Sequence, residues 1–466
     1  MRKGRRREGL QKKIMRFIQS WCILFHIRQR QGWGERRMSN TSSMSRENKK
    51  NQLKRRIVSS NTMQQEAQES REIVQRAHRR VIRKRLIILG VLVFAAVIAG
   101  ILLFQYGRYH TYTDYQPVWE KDLTTEAQEA AAQGEGSFCE YVDFCDGVLK
   151  YTKDGASYLD AQGKVVWMQS YEMKSPMVSI NGEFAAIGDL QGNSIYICDK
   201  SGPQGQAVTL LPILRVTVSA KGVVAALQED SRASYIYLYK KDGSSLDIMV
   251  KSLVSGDGYP VDLSLSPNGT QLITSFMYLD QGILKCKIVF YNFGLGKNDP
   301  NRVVGIFFPQ DLGDAMAARV RFLDESHSVA FTDHGLLFFS TRVETSPELV
   351  SQIPIGETIR SITYTPDYVG LITDNVEGED PNRLRVYDRE GNPVFDISFR
   401  YQYSGFDIDG GLVLLYNDSS CQVYNMTGTK KYEGAFDFTV SKVSAGRFPG
   451  TLYVMGPQKM MEVKLQ

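Results

Sequence analysis

A short motif ending in glycine recurs through the C-terminal part of this chain and constrains its fold more than any other feature. In each copy, a strand-like segment ends in two apolar or aromatic residues, followed by a polar residue, two further residues and the glycine. Clear copies end at Gly163, Gly202, Gly243, Gly391 and Gly428. A shortened copy covers 290–294, a degenerate one 336–340, and a last unit covers 460–465. The motif is typical of a tight turn between two strands.

A second motif, a polar turn followed by an apolar strand, precedes most copies of the first. Asn181–Ile187 and Asn268–Ile273 are examples, and the glycine in each turn supplies the positive φ that a tight hairpin needs. Arg215–Ser219 and Asp262–Ser266 alternate polar and apolar residues, as strands with one buried face do. Eight units of about 37–51 residues, each with four short strands, predict an all-β, eight-bladed β-propeller. A seven-bladed propeller is the alternative, and a sandwich or solenoid fits the repeat less well.

The eighth unit has only three strands before the sequence ends at Gln466. An open sheet edge invites aggregation, so a propeller needs a fourth strand here. Thr111–Trp119 has the composition of a strand, and we predict that it pairs with the final unit and closes the ring. Residues 124–133 are then expected to form a short helix or a loose connector.

An apolar run, Leu86–Phe104, precedes the repeats and contains no charged residue. As a helix, its nineteen residues would span about 28 Å, close to the hydrocarbon thickness of a bilayer. Five basic residues lie between Arg79 and Arg85, whereas only Arg108 is basic between the run and Lys121. This asymmetry predicts a single-pass membrane anchor with a cytoplasmic N-terminus and an extracytoplasmic propeller at 111–466. A cleaved signal peptide fits less well, because no small-residue cleavage site follows the run.

The formal charge of the chain divides at this run. Residues 1–85 carry +19 and residues 86–466 carry −14, which the overall value of +5 conceals. A basic tail beside a membrane favours contact with anionic lipid over nucleic acid, and the charges also serve simply to set the topology. We therefore predict lipid as a partner of the tail and no nucleic acid.

The tail itself has three parts. Residues 1–37 are very basic with a short apolar patch, and they are either an extension upstream of a start at Met38 or Met44, or an interfacial helix. The polar remainder of 1–61 is expected to be disordered. Residues 62–85 lack glycine and proline, have acidic residues early and basic residues late, and predict a helix continuous with the anchor.

The outer region offers little recognisable chemistry. His110, His327 and His334 are its only histidines, and none stands in a zinc-binding pattern. Phosphate-binding, EF-hand and nucleophile-elbow motifs are not found, so we predict no catalytic, cofactor-binding or metal-binding residue. If the protein were an envelope hydrolase or lyase, the carboxylates of Asp333, Asp374 and Asp409 would be the candidates to line the propeller channel.

Five cysteines lie beyond the apolar run. Cys139 and Cys145 flank a segment of turn length and form a candidate disulfide, whereas Cys198 takes an apolar repeat position and is expected to be a buried hydrophobic residue. Asn268, Asn417 and Asn425 begin glycosylation-type triplets, but they stand at turns, and turn chemistry explains them.

The combination of a basic tail, one anchor, and turns such as 387–391 resembles uncharacterised bacterial membrane-anchored propeller proteins of the quinoprotein-like and WD40-like kind. The resemblance covers about 60–466 and implies a fold and a location. This chain lacks the Trp-Asp ending of WD40 units, and beyond the anchor only Trp119 and Trp167 are tryptophans, so a quinone cofactor is not expected.

We therefore expect a non-catalytic binding or scaffolding module of the cell envelope, with a protein or a cell-wall polymer as partner. The alternatives are the carboxylate enzyme and a transmembrane sensor. Partner contacts are expected on the longest loops, which are Ser255–Tyr259, Gly294–Arg302 and Asn375–Arg383.

Overall fold

The computed structural model describes residues 51, 87–102, 105–107, 109–123, 138–294, 302–309 and 315–466. The helix expected over 62–85, the connector over 124–133 and nearly all of the basic tail lie outside the described residues. A helix, α1, covers Ile87–Gly107, close to the predicted run of 86–104. It is long and apolar enough to cross a membrane, and all of its described side chains are exposed.

The described strands form eight four-stranded antiparallel sheets, which confirms the eight-bladed propeller and rules out the seven-bladed alternative. Blades 1 to 4 contain β2 (Cys139–Phe144), β3 (Gly147–Thr152), β4 (Gly155–Leu159), β5 (Val165–Ser170); β6 (Pro176–Asn181), β7 (Phe184–Asp189), β8 (Ser194–Asp199), β9 (Gly202–Val208); β10 (Ile213–Val218), β11 (Val224–Glu229), β12 (Ala233–Tyr239), β13 (Ser245–Leu253); and β14 (Tyr259–Leu265), β15 (Gln271–Asp280), β16 (Ile283–Asn292), β17 (Val303–Phe307). Blades 5 to 8 contain β18 (Ala317–Phe322), β19 (His327–Thr332), β20 (Gly335–Ser340), β21 (Glu348–Pro354); β22 (Ile359–Tyr364), β23 (Tyr368–Asp374), β24 (Asn382–Asp388), β25 (Pro393–Phe399); β26 (Gly405–Asp409), β27 (Leu412–Tyr416), β28 (Ser420–Asn425), β29 (Lys430–Ala435); and β30 (Lys442–Ala445), β31 (Thr451–Met455), β32 (Lys459–Leu465) with β1 (Tyr115–Asp122).

Strand β1 closes the ring, as predicted. The order in blade 8 is β30, β31, β32, β1, so the last strand of the chain pairs with the first. The pairing runs from Tyr115 opposite Leu465 to Asp122 opposite Lys459, three to four residues later than the predicted 111–119. Of the residues before it, Tyr112 lies against blade 7, where its backbone N–H donates to the carbonyl of Lys431 at 2.7 Å, whereas Thr113 and Asp114 donate to the carbonyl of Gln466.

The recurring glycine motif forms the turn between the third and fourth strands of a blade. In blade 1, the Asp160 carboxylate accepts backbone N–H groups of Gln162 and Lys164, both at 2.9 Å. Gly163 has a φ of +70°, and a Cβ there would lie 2.8 Å from the Trp119 ring on the outer strand of blade 8. The turn of blade 6 packs in the same way on blade 5, where a Cβ at Gly391 would meet Ser351 at 2.9 Å. The glycine therefore permits both the turn and close contact with the neighbouring blade.

The apolar core is divided among the junctions between blades. The described residues form eight clusters of buried side chains, and each cluster joins two neighbouring blades. The seam between blades 8 and 1 contains Met455, Met460, Val148 and Leu159, so it is packed like the other junctions. Cys198 is fully buried between blades 1 and 2, which confirms its predicted role.

Candidate binding site in the central channel

The first strand of each blade faces the central channel of the propeller. A cavity of about 740 Å³ lies there, and its charged lining residues are Asp143, Arg215, Asp262, Arg319, Arg321, Asp407 and Asp409. Four inner strands share a one-residue register shift near their start, between Ile213 and Arg215, Pro260 and Asp262, Ala317 and Arg319, and Ile359 and Ser361. Such bulges change the direction of the side chains that follow, and here they precede three of the charged residues.

Blades 3, 4 and 5 contribute a group that we call the cationic arc, made of Arg215, Asp262, Arg319 and Arg321. Asp262 is 4 % exposed and forms an ion pair of 2.6 Å with Nη1 of Arg321, and its Oδ1 lies 4.0 Å from Nε of Arg215. Arg321 also donates from Nε to the Tyr364 hydroxyl at 2.8 Å. With one carboxylate among three guanidinium groups, the cationic arc has a formal charge of +2.

Arg319 is the available cation of this arc. It is exposed to the channel, and among the described residues it has neither an ion-pair partner nor a side-chain hydrogen bond. Arg321, in contrast, is held by Asp262 and Tyr364. An exposed guanidinium group presents up to five donors in a planar arrangement that suits a carboxylate or a phosphate.

Blades 7, 8 and 1 contribute the anionic arc, made of Asp143, Asp407, Asp409 and Lys442. The Lys442 ammonium lies 2.6 Å from Asp407 and 2.9 Å from Asp143. Burial lowers the pKa of Lys442, but the charges of Asp143 and Asp407 outweigh it and raise that pKa overall. Three carboxylates around one ammonium give the anionic arc a formal charge of −2 when all are ionised.

Asp409 is the carboxylate that Lys442 leaves without an ion pair. Its Oδ2 accepts the backbone N–H of Ala445 at 2.8 Å. Burial, followed by the charges of Asp143 and Asp407, raises the pKa of Asp409. The ionised form of Asp409 is therefore disfavoured unless a cation comes close to it.

The two arcs are separated by blades without charged lining residues. Blade 2 contributes Met177 and Ser179 to the cavity, and blade 6 contributes Tyr364 and Thr365. In a ring of eight blades, blades 3 to 5 lie opposite blades 7, 8 and 1. The channel therefore has positive charge on one side and negative charge on the other.

Many channel side chains also join neighbouring blades. The hydroxyls of Ser179, Thr217 and Ser264 accept backbone N–H groups of the next blade at 3.1, 3.4 and 3.0 Å. The presence of polar groups in the channel thus has a structural cause. Arg319 makes no such contact among the described residues, and Asp409 accepts the backbone N–H of Ala445 on blade 8 but, unlike Asp143 and Asp407, has no ion pair there.

The channel contains one of the three carboxylates that were candidates under the enzyme alternative. Asp409 lines the cavity, whereas Asp374 pairs with Arg360 at 2.7 Å and Asp333 lies 2.9 Å from His334, both away from the lining. Asp374 ends the second strand of its blade and Asp333 follows the second strand of its blade, whereas the first strands face the channel, so neither carboxylate lines it. The sequence contained a signal for Arg215 and Asp262, since both stand on the polar side of alternating segments that prove to be inner strands.

Cys139 and Cys145, the candidate disulfide pair, are both free thiols. The segment between them is strand β2 rather than a turn. An extended strand advances about 3.3 Å per residue, so the two Cα atoms lie about 20 Å apart, whereas a disulfide needs less than about 7 Å.

The histidines occupy three different settings. His327 is buried in blade 5 with Nδ1 2.8 Å from Asp324, His334 is exposed beside Asp333, and His110 packs between the rings of Tyr106 and Tyr112. Within the described ranges, no group of three metal-ligating side chains comes together.

The predicted contact loops lie on both faces of the propeller. Ser255–Tyr259 leads into β14 and Asn375–Arg383 joins β23 to β24, so the alternating strand direction places both on one face. Gly294–Arg302 joins β16 to β17 on the other face, and most of it lies outside the described residues. Asn268, Asn417 and Asn425 accept backbone N–H groups within their own turns, which confirms the turn interpretation.

Comparisons with known proteins provide a family. No curated protein matches the chain. Among solved structures, BamB from Moraxella catarrhalis is 11 % identical with a TM-score of 0.44, covering 76 % of this chain and 100 % of BamB. The Dos1 propeller is 11 % identical with a TM-score of 0.49, covering 75 % and 95 % of the two chains. The WD40 domain of Neurospora crassa Pan2 is 13 % identical with a TM-score of 0.39, covering 62 % and 88 %. The model of the DUF5711 family matches residues 108–465, which span the whole propeller, and the chain therefore belongs to this family of unknown function.

Proposed function

We propose that this protein is a membrane-anchored binding protein whose extracytoplasmic propeller holds a ligand in its central channel without transforming it. The observation that carries the proposal is the pair of charged arcs around a cavity of about 740 Å³. Cavities of about 300–1,000 Å³ with a few convergent polar groups are typical of ligand sites. Arg319 and Asp409 are the groups that we assign to ligand contact.

The anchor is α1, and its orientation is proposed from charge. Basic residues at 79–85 precede the helix, and the rule that positive residues stay in the cytoplasm then places 111–466 outside. The basic tail, 1–85, is proposed to contact anionic lipid of the inner leaflet, where each basic residue contributes about 1 kcal/mol. A protein or a cell-wall polymer remains the proposed envelope partner, through the loops at 255–259 and 375–383.

Binding in the channel is tested with the full chain in detergent and the fraction below about 3 kDa of an envelope extract. The melting temperature of the wild type should rise with the extract, and that of Arg319→Ala should rise much less. Arg342→Ala is a matched control, since Arg342 is an exposed arginine of the same blade that does not line the channel. Equal rises in wild type and Arg319→Ala would contradict the proposed site.

A hydrolase is the second candidate, because Asp143, Asp407 and Asp409 converge around Lys442. Two carboxylates in unlike environments are the arrangement used for general acid catalysis, and Asp409, with its raised pKa, would be the acid. This candidate predicts turnover of a component of the extract that Asp409→Asn abolishes, whereas the binding function predicts recovery of an unchanged ligand.

A further inference from the structure

The charged arcs also indicate the chemical class of the ligand. Building on the proposed function, we infer that the channel binds a short peptide with both termini free, its carboxylate on Arg319 and its ammonium on Asp409. The inference uses only the inner-strand residues of the propeller, and three features of the channel support it.

The first feature is the position of the unpaired charges. Arg319 stands on blade 5 and Asp409 on blade 7, with blade 6 between them, and each belongs to an arc of its own sign. The other charged groups of the two arcs have ion-pair partners, since Asp262 pairs with Arg321 and, at 4.0 Å, with Arg215, and Lys442 pairs with Asp143 and Asp407. Among the described lining residues, Arg319 and Asp409 are thus the cation and the anion without an ion pair.

The second feature is the charge balance. An anionic ligand would pair with Arg319 but add negative charge near the anionic arc, and a cationic ligand would do the reverse. A charge taken out of water without a partner is costly, so only a molecule with both charges satisfies both groups. An ammonium beside Asp409 would also favour its ionised form, which burial disfavours.

The third feature is the set of hydroxyls along the channel. Ser179, Thr217 and Ser264 each accept a backbone N–H from the next blade, which leaves the hydroxyl hydrogen of each free to donate. Peptide carbonyls are acceptors spaced along a chain and can receive these donors. This favours a peptide over a compact zwitterion with only its two charges.

The test uses random tripeptide libraries on the full chain in detergent, read by affinity selection and mass spectrometry. Four libraries are compared: free at both termini, N-acetylated, C-amidated, and blocked at both ends. The free library should be retained about 10- to 100-fold more strongly than any blocked one, as expected for losing a hydrogen bond to a charged group.

Channel variants assign each terminus to its residue. Arg319→Ala should weaken retention of the free and the N-acetylated libraries and leave the C-amidated one unchanged. Asp409→Asn should weaken the free and the C-amidated libraries and leave the N-acetylated one unchanged. Arg319→Lys, which keeps the charge, should retain part of the binding, and circular dichroism checks that each variant is folded.

The outcomes separate this inference from the proposed function. Equal retention of free and blocked libraries, or no retention of any, overturns the peptide assignment. If the envelope extract still stabilises the wild type through Arg319 in that case, the binding function stands with another ligand. If neither the extract nor any library acts through the channel, both proposals fail.

Discussion

Replacing Trp119 by alanine is expected to open the seam between blades 8 and 1. Trp119 is half-buried on β1, its indole Nε1 donates to Oε2 of Glu462 at 3.0 Å, and its ring packs on Gly163 of blade 1. Glu462 is only 6 % exposed and has no other hydrogen-bond partner among the described residues. The substitution therefore removes the contact between blades and leaves a buried carboxylate unpaired.

The cost follows from these two losses. Truncation of a fully buried tryptophan costs about 3–5 kcal/mol, so about 2 kcal/mol is expected for a half-buried one. The unpaired carboxylate adds about 1–3 kcal/mol, and the free energy of unfolding should fall by about 3–5 kcal/mol in all. For a propeller of about 350 residues, this corresponds to a decrease of about 4–7 °C in melting temperature.

The assay is thermal unfolding of the full chain in detergent, followed by circular dichroism near 218 nm. Trp167→Ala is the matched control, because Trp167 takes the equivalent position after the bulge on the outer strand of blade 1. Trp167 is more buried than Trp119, and its Nε1 lacks a partner in the described part of the chain. Its strand, β5, is joined to β4 of the same blade by a turn, whereas β1 is held in blade 8 by its pairing with β32. Trp119→Ala should be at least as destabilising, and a shift below about 1 °C would refute the role of β1 in closure.

Other predictions concern pH, the junction of blades 5 and 6, and the free thiols. Asp409 has a raised pKa in the folded protein, so its ionised form lowers stability at neutral pH. Asp409→Asn should therefore raise the melting temperature at pH 7 and give no gain below about pH 3.9, where the wild-type carboxyl is protonated in both states. Thermal melting measured across this pH range tests the prediction. Burial opposes the ionisation of Asp324, but hydrogen bonds from Arg389, Ser326 and His327 lower its pKa, so its contribution is present above about pH 3.9 and lost as the pH falls further. Asp324→Asn should therefore lower the melting temperature at pH 7 and have little effect at pH 2; an equal loss at both would show that the ion pair is not the cause. In the folded protein a maleimide should modify the exposed Cys145 and leave the buried Cys198 unmodified. Mass spectrometry of the labelled protein tests this, and modification of Cys198 without Cys145 would contradict it.

Much of the fold was predictable because the residues that form each repeated turn are close to one another in the sequence. The Asp160 carboxylate and Gly163 form their turn within five residues, so these turns can be counted in the sequence. The count showed that the eighth blade lacked a fourth strand at the end of the repeats, which is the strand that β1 supplies. The channel was predictable only in part. Arg319 and Asp409 are far apart in sequence and line the same cavity only because blades 5 and 7 belong to one ring. Bulges that redirect side chains, as between Ala317 and Arg319, leave no clear sequence pattern.

Labelling of a cysteine placed in the channel tests the central claim most directly. Met177 lines the channel from blade 2, which contributes no charged residue to the lining, and it is partly exposed, so Met177→Cys reports on the channel in a background of Cys139→Ser and Cys145→Ser. A membrane-impermeant maleimide is applied to intact cells with and without tripeptides that have free termini. The account predicts labelling in intact cells, slowed at least tenfold by the tripeptides but not by their doubly blocked forms. Labelling only after lysis, or labelling that the tripeptides leave unchanged, would contradict it.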